Sequence, residues 1–485
     1  MDGKDTMSVV FLPAYLQMNK NILLLLFTFA VIVSKLTLYE ADYDLWGHLF
    51  WGTKILQGNF NWTDTYSFTA VGSKFINHEW LSEGAMAAIF NSLGESGLII
   101  YRIILCLILF YITWKIICRY SYNLFTRCIA LILAISIFGP GLSFRPQVLS
   151  YILLGTVVLG VQEEGWIFKK FGAYLLFLLF LFWTHVHGVY PVGIIVLSAA
   201  LAVNYFYKKI NLSQTLLIFF AAIVPTFISP YGVDQWLYVF EEATNTYARD
   251  YIPEWAAFSF QPREMSFFVG VCLSLIPIWI FRSNLFKREN LILLTITFLG
   301  ITLGVTSVRH TPLFAVLGIS AITLCINNLE EKFLQKSNLI KLISLATLPI
   351  SILLFYRSFT IPFRIDWDSD PLPTNVVKFM KNKNIQGNVW VPLHWGSYVL
   401  YYLGDNGVKV SLDGRWTTVY PRQAKEDTIN WSVYGTNGKW KKIVNQKGGD
   451  YMIVGRFNPA LDEMKKDSDW HWIAEERDAI LFACN

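Results

Sequence analysis

Charge is scarce in this chain. Only 15% of its 485 residues are Asp, Glu, Lys or Arg, where a soluble globular protein carries about 25%. That scarcity argues against water as the main solvent. The net charge of +5 is modest and unevenly spread, so nucleic acid is not an expected partner. Clustered cysteine is also missing. Cys106, Cys118, Cys128, Cys272, Cys325 and Cys484 are scattered and form neither a CxxC nor a Cys/His group, which argues against a disulfide framework or zinc site. Internal repeats and low-complexity tracts are lacking too.

Apolar runs fill the space that charge leaves. Hydrophobic residues make up 54% of the chain and aromatics 16%. A membrane helix needs about 20 mostly apolar residues. Eleven segments qualify as candidates, some of them short: 21–39, 97–118, 125–141, 147–162, 171–185, 188–206, 213–229, 265–281, 290–308, 311–326 and 339–357. The run from Asn21 to Tyr39 is too long for a signal peptide and lacks a small-residue cleavage site, so it is expected to stay as a span.

Lysine and arginine orient these spans. One set of short loops carries Lys4 and Lys20, Arg119 and Arg127, Lys169 and Lys170, Lys208 and Lys209, Arg282, Lys287 and Arg288, then Lys332 and Lys336. The opposite set carries only Arg145, His185 with His187, and Arg309 with His310. The basic side reads as cytoplasmic, with a cytoplasmic N-terminus. The first loop (40–96), the loop 230–264 and the C-terminal domain then face outward. The expected fold is an α-helical polytopic membrane protein of about eleven transmembrane helices, residues 1–358, in the cell membrane. A small extracytoplasmic α/β domain follows at 359–485, after a Pro-punctuated linker (Ile361-Pro362, Asp370-Pro371-Leu372-Pro373). Its expected elements are a helix at Thr374–Met380, strands at Asn388–Val391, Val408–Leu412 and Tyr451–Val454, and a terminal hairpin.

The polar residues hardest to explain fall on the outward side. Glu40, Asp42, Asp44 and His48 crowd the mouth of the first span, and His78, Glu79, Arg145, His185, His187, Glu254, Arg309 and His310 join them. Each also has a bland alternative: a polar turn for Asp42 and Asp44, an interfacial ring for His48, first-turn helix charge for Glu79. Arginine is out of place at the helix starts Arg145-Pro146 and Arg309-His310, where only the nearby proline is expected. His185 and His187 are spaced i and i+2, on different faces of a regular helix, which argues against joint metal binding; a polar contact by one of them fits better. The tripeptides at Asn61, Asn211 and Asn430 fit glycan-acceptor sequons, a pattern common by chance. The aromatics of 230–264 suit a segment lying in the headgroup layer. Together, acids, histidines and single arginines at one membrane face are what a polar reaction on a lipid-linked substrate needs: an acid takes a proton, and arginine clamps a phosphate.

The stretches Asp42-Tyr43-Asp44-Leu45-Trp46-Gly47-His48, Thr63-Asp64-Thr65-Tyr66-Ser67-Phe68-Thr69 and Asn77-His78-Glu79-Trp80-Leu81 resemble the first outer loop of a group of prokaryotic multi-span proteins placed with the GT-C glycosyltransferases. Phe144-Arg145-Pro146-Gln147, Trp183-Thr184-His185-Val186-His187-Gly188, Ser229-Pro230-Tyr231-Gly232, Pro253-Glu254-Trp255 and Ser307-Val308-Arg309-His310-Thr311-Pro312 fit the same group, as do Trp395-Gly396-Ser397-Tyr398 and Leu412-Asp413-Gly414-Arg415. The resemblance covers most of the chain. It implies transfer of a sugar from a polyprenyl-phosphate carrier at the outer membrane face to an acceptor, with the catalytic acid in the first outer loop, at Asp44 or Asp42. That acid acts as base towards an acceptor hydroxyl or holds a divalent cation. Arg145 and Arg309 neutralise the released phosphate, while His48, His78 and Glu79 position donor or acceptor; His187 and His310 stand as further binding candidates. Trp395-Gly396-Ser397-Tyr398 is loosely similar to the Trp-Trp-Asp-Tyr-Gly acceptor motif of oligosaccharyltransferases but lacks its aspartate, and Asp413 and Arg415 either reach back to the membrane site or simply form a turn. Two other readings fit the sequence: a transporter or flippase for a lipid-linked sugar, and a non-catalytic scaffold of envelope biosynthesis.

Overall fold

A computed structural model of the protein describes residues 19–39, 41–60, 62–162, 165–245, 247–280, 287–334, 339–366 and 371–485. Lys4, Glu40, Asn61, Arg282, Lys336 and Asp370 lie outside the described residues. Apolar helices build the first part: α1 (Lys20–Leu36), α2 (Asp44–Leu56), α3 (Trp80–Ile117), α4 (Leu124–Phe138), α5 (Gln147–Val161), α6 (Gly172–Val186), α7 (Tyr190–Phe206) and α8 (Leu212–Ile223). After α9 (Val233–Thr244) come α10 (Met265–Ile280), α11 (Arg288–Thr306), α12 (Thr311–Leu317), α13 (Ile319–Leu329) and α14 (Leu339–Thr360).

Each of the eleven expected spans overlaps a helix, and 311–326 overlaps two, α12 and α13. By length and composition, however, only three described helices can cross a membrane alone: α3, α11 and residues 342–360 of α14. A fourth arises if α12 and α13, bent by 60° at their junction, count as one span. The helix α3 begins well before its expected start because α3 is two helices merged across Gly94, whose φ of 62° only glycine adopts without strain. The apolar part begins beyond that break, as the hydrophobic run implied. One continuous core packs α3 to α8 and α10 to α13, with Phe138, Phe180, Trp183, Tyr190 and Phe314 among its largest buried side chains.

The C-terminal part is a five-stranded mixed sheet. It runs α15 (Thr374–Asn382), β1 (Gly387–Trp390), α16 (Leu393–Leu403), β2 (Val408–Val410), α17 (Arg422–Ser432), α18 (Lys439–Lys447), β3 (Tyr451–Gly455), α19 (Leu461–Lys465), β4 (Trp470–Glu475) and β5 (Ala479–Cys484). The order is β2-β1-β3-β5-β4. β1 pairs in parallel with β2 and β3, so each connection must cross over, and α16 and α17–α18 supply those crossovers. The expected terminal hairpin is β4–β5.

The sheet is fastened to the first loop. Residues 66–68 run along the outer edge of β2, with Val410 N–H donating to the Tyr66 carbonyl (3.1 Å) and Phe68 N–H to the Val410 carbonyl (3.2 Å). This covers an edge whose backbone groups would otherwise be unpaired. On the other side of the loop, α2 lies against α16. The Trp46 ring there sits 5.0 Å from Tyr398 and Tyr401 and 5.4 Å from Tyr402. The linker is tied in as well, Ala41 N–H donating to the Asp366 carbonyl and Asp366 N–H to the Tyr39 carbonyl. The loop carrying Asp42 and Asp44 is thereby fixed from three directions.

Candidate active site

Arg145 is the centre of the charge network. Ser143 holds its backbone (N–H to carbonyl, 2.9 Å), and Pro146 then starts α5, which aims the guanidinium at the start of α2. Its Nε donates to Asp42 at 2.5 Å, its Nη2 lies 2.8 Å from Asp44 and its Nη1 donates to Glu254 at 2.9 Å. Glu254 in turn accepts from Arg309 at 3.2 Å. Three carboxylates hold the Arg145 cation firmly charged against the cost of burial. Arg309 also stacks on Trp255, 4.8 Å from the ring centre, so one of its faces is packed while its fork is only partly engaged.

The two first-loop aspartates differ. Asp42 Oδ1 accepts from the N–H groups of Asp44 (3.1 Å) and Leu45 (3.2 Å), capping the first turn of α2, while its other oxygen meets Arg145. Asp44 makes the single Arg145 contact through Oδ2 and is more exposed. Its Oδ1 faces Gly414, where even a methyl group would come within 3.2 Å.

A second cluster adjoins the first. His48 Nδ1 lies 3.0 Å from Glu83 and 3.8 Å from Glu79; His187 Nε2 lies 3.3 Å and His78 Nε2 3.6 Å from Glu79. Burial would depress the His48 pKa, but the bond to Glu83 and the charges of Glu79, Glu83 and Asp44 outweigh it and raise the ring to about 9. Burial pushes Glu79 up to about 7, against the pull of His48. His78 falls to about 3 and His187 moves well below its ordinary range, burial being the main cause for both, with Arg309 and neighbouring histidines adding to it. The ligand atoms of His48, Glu79 and Glu83 lie within 4.8 Å of one another, close enough to hold a metal ion.

α2 and α3 reach this proximity because Gly52 has no side chain. A Cβ there would overlap the Glu83 carbonyl and crowd Ala87, so glycine permits the approach that joins His48 to Glu83. The two histidines of α6 diverge, as their spacing implies. His185 bonds the Leu181 carbonyl through Nδ1 (2.6 Å) and packs against Trp80. The helix ends at Val186, and extended backbone at His187 turns that ring towards Glu79.

His310 stands beside Arg309 at the start of α12, its ring 6.4 Å from Trp255, with its pKa lowered to about 4 by burial and then by Arg309 and Arg249. In the C-terminal part, Trp395 is buried and its ring N–H donates to the Pro371 carbonyl (2.7 Å). Asp413 and Arg415 pair with each other and with Asp64 and Tyr420. What reaches Asp44 from those motifs is Gly414, positioned by its N–H bond to Ser397 Oγ (3.1 Å), and Ser397 itself packs on Gly47. The sequence did not single out Glu83 or Ser150, and Asn77 and Ser397 entered only as members of quoted stretches. Glu79 and Glu83 are four residues apart at the start of a helix, a spacing that places both carboxylates on one face; that signal was available. Nothing in the sequence marks Ser150.

Neither a protein-family description nor a curated protein sequence matches the chain. Its fold is similar to those of solved structures of an archaeal oligosaccharyltransferase and of ArnT. The apo oligosaccharyltransferase of Archaeoglobus fulgidus superposes with a TM-score of 0.58 at 10% identity, over 89% of this chain and 69% of that one. The oligosaccharyltransferase AglB of the same organism, in complex with an inhibitory peptide and a dolichol-phosphate, gives 0.57 at 11% identity over the same shares. ArnT from Cupriavidus metallidurans in the apo state gives 0.50 at 10% identity, over 95% of this chain and 97% of that one.

Proposed function

We propose that this protein is a membrane glycosyltransferase that moves a sugar from a polyprenyl-phosphate donor to an acceptor at the outer face of the cell membrane. The carrying observation is the continuous network Asp42–Arg145–Glu254–Arg309 with Asp44 on its edge. It joins the start of α2, the segment before α5, the turn at Pro253–Trp255 and the turn before α12, which is how a site for a charged headgroup is built from separate helix ends. The fold is also that of AglB, which is known in complex with dolichol-phosphate.

Asp44 is the base in this reading. Asp42 spends one oxygen on the cap of α2 and the other on Arg145, whereas Asp44 meets Arg145 through Oδ2, has no hydrogen bond to Oδ1 among the described residues and stands more open. Arg309 meets the donor phosphate first, because Arg145 is already surrounded by three carboxylates. As the sugar–phosphate bond breaks, negative charge grows on the leaving phosphate and both guanidiniums stabilise it; a contact of this kind is worth about 3 kcal/mol, roughly a hundredfold in rate. Inversion follows from direct attack of the acceptor hydroxyl as Asp44 takes its proton.

The test uses membranes containing the full chain and undecaprenyl-phosphate carrying a radiolabelled hexose as probe. Wild type is expected to consume the donor and release undecaprenyl phosphate. Asp44→Asn is expected to accumulate to the same level and to leave the donor intact. Donor consumption at the wild-type rate by Asp44→Asn would remove Asp44 from the chemistry. Movement of intact donor across vesicles without cleavage would establish the transporter reading instead.

A further inference from the structure

A second group of polar atoms lies where α9 and the turn after it meet the C-terminal part. Trp416 is 4% exposed, and its ring N–H has no hydrogen-bond partner among the described residues. Lys425, on α17, is 6% exposed, and no hydrogen bond or ion pair among the described residues holds its ammonium. That ammonium lies 5.4 Å from the centre of the Trp416 ring and 5.8 Å from that of Tyr247. Glu242, on α9, is bonded to Thr417 through its carboxyl, yet its Oε2 is buried without a partner. A buried polar atom left unpaired has given up its hydration for nothing, so three in one place call for an explanation. Burial pushes the Glu242 carboxyl up and the Lys425 ammonium down, although each feels the other's charge.

The cluster borders the arginine network. Thr417 Oγ1 stands 3.3 Å from the Tyr238 hydroxyl, and the Tyr238 ring is 5.0 Å from His78. The charge of Arg309 reaches both Tyr238 and Glu242. Trp416 is two residues beyond Gly414, which meets Asp44, so the two backbones are within about 7 Å of each other. A ligand held at Trp416 lies next to the proposed base.

The unpaired atoms select the ligand. Trp416 and Lys425 can only donate, and an ionised Glu242 can only accept. An anion such as phosphate would satisfy the donors but face Glu241, Glu242 and Glu426, with Arg422 already committed to Glu426 at 2.7 Å. An amine would satisfy the carboxylate and leave both donors unpaired. A hydroxyl both donates and accepts, so neighbouring hydroxyls on one ring serve all three atoms. The Tyr247 and Trp416 rings add apolar surface, lying within 11° of parallel with centres 6.1 Å apart. Flat aromatic surface beside a few directed polar groups suits a compact ligand of mixed polarity.

We propose that Glu242, Trp416, Thr417 and Lys425, with the Tyr247 ring, form a binding site for a neutral pyranose, so that the acceptor of this protein is a saccharide. The role as acceptor rests on the sugar-transfer reading; the binding of a sugar ring does not.

The experiment is saturation-transfer NMR on the purified full chain in detergent, without donor. The probes are the methyl glycosides of glucose, galactose, mannose and N-acetylglucosamine, with the tripeptide Asn-Ala-Thr as a counter-probe and inorganic phosphate as a competitor. Wild type is expected to bind at least one glycoside, undisturbed by phosphate. Glu242→Gln and Lys425→Met are expected to weaken it roughly tenfold, and Trp416→Phe, which keeps a ring but loses the N–H, to weaken it as well. Each variant is compared as the monodisperse gel-filtration fraction, and Trp416→Phe stands in for either of the others if it fails to fold. No glycoside bound by wild type, equal binding by the variants, displacement by phosphate, or binding of the tripeptide in place of the glycosides would each overturn the assignment. Donor consumption in membranes without glycoside binding would remove this site and keep the transfer reading. Glycoside binding without donor consumption would keep the site and remove its role as acceptor.

Discussion

The Arg415 guanidinium lies 2.7 Å from the Asp64 carboxylate, joining the C-terminal domain to the first loop through two buried side chains. Asp413 pairs with the same cation from below (2.7 Å), Tyr420 donates to Asp413 (2.7 Å), and the Trp51 ring of α2 lies 4.1 Å beneath the guanidinium. Removing one partner of such a group leaves the others charged and buried, at a cost of about 3–5 kcal/mol. Arg415→Met is therefore expected to lower the thermal midpoint sharply and to open the first loop to limited proteolysis, both readable on detergent-purified protein. Unchanged melting would mean that the strand-edge pairing at Val410 holds the two parts together alone.

The two aspartates should separate by readout. Asp42→Ala removes the cap of α2 and the pairing with Arg145, so a loss of about 1 kcal/mol in stability is expected, seen as a lower melting midpoint. Asp44→Asn should leave melting nearly unchanged and remove sugar transfer.

Arg145→Gln strips the cation shared by Asp42, Asp44 and Glu254. Transfer is expected to fall roughly a hundredfold in kcat, the equivalent of about 3 kcal/mol. Arg145→Lys should recover little, because an ammonium cannot reproduce three directed contacts from one planar group. Initial-rate measurements over a range of donor concentrations distinguish a kcat effect from weaker binding.

Gly52→Ala introduces a methyl group where the Glu83 carbonyl and Ala87 already stand. α2 and α3 must separate, by an overpacking cost of about 1–3 kcal/mol. The expected result is a lower melting midpoint on detergent-purified protein, since His48 and Glu83, 3.0 Å apart, ride on or beside those two helices.

Acid should destabilise the fold through His310. The unfolded chain takes up this proton below about pH 6.5, whereas the folded ring resists it down to about 4. Between those values the unfolded state binds more protons, so stability falls as the pH drops through the window and the effect levels off below it. Melting midpoints measured from pH 7 to pH 4 should decline less steeply in His310→Gln.

Much of the architecture was legible in the chain because it follows from local pattern. Apolar runs from Asn21 onward marked the helices, and alternation with turn residues marked the strands at Val408 and Tyr451. Hydropathy does not fix how many helices cross a membrane: α12 and α13 read as one apolar run yet bend by 60° at Gly318. Residue type alone singled out Asp42, Asp44, Arg145 and Arg309, since charge at the end of an apolar helix carries a desolvation cost that calls for a partner. The partners themselves were hidden, because Arg145 and Glu254 are 109 residues apart and only packing brings them to 2.9 Å. The motif Leu412-Asp413-Gly414-Arg415 shows the same division. Its charged residues drew notice, yet they turn inward to Asp64 and Tyr420 while the glycine between them meets Asp44. The sequence by itself determined where the long apolar helices and the strands of the C-terminal part lie, because periodicity and propensity act over a few residues, but not the helices α2 and α9 inside the expected loops 40–96 and 230–264. Only the tertiary structure decided that Asp44 meets Arg145 through one oxygen while the other faces Gly414, and that Glu79 stands among His48, His78 and His187, because those outcomes depend on contacts between helices far apart in the chain.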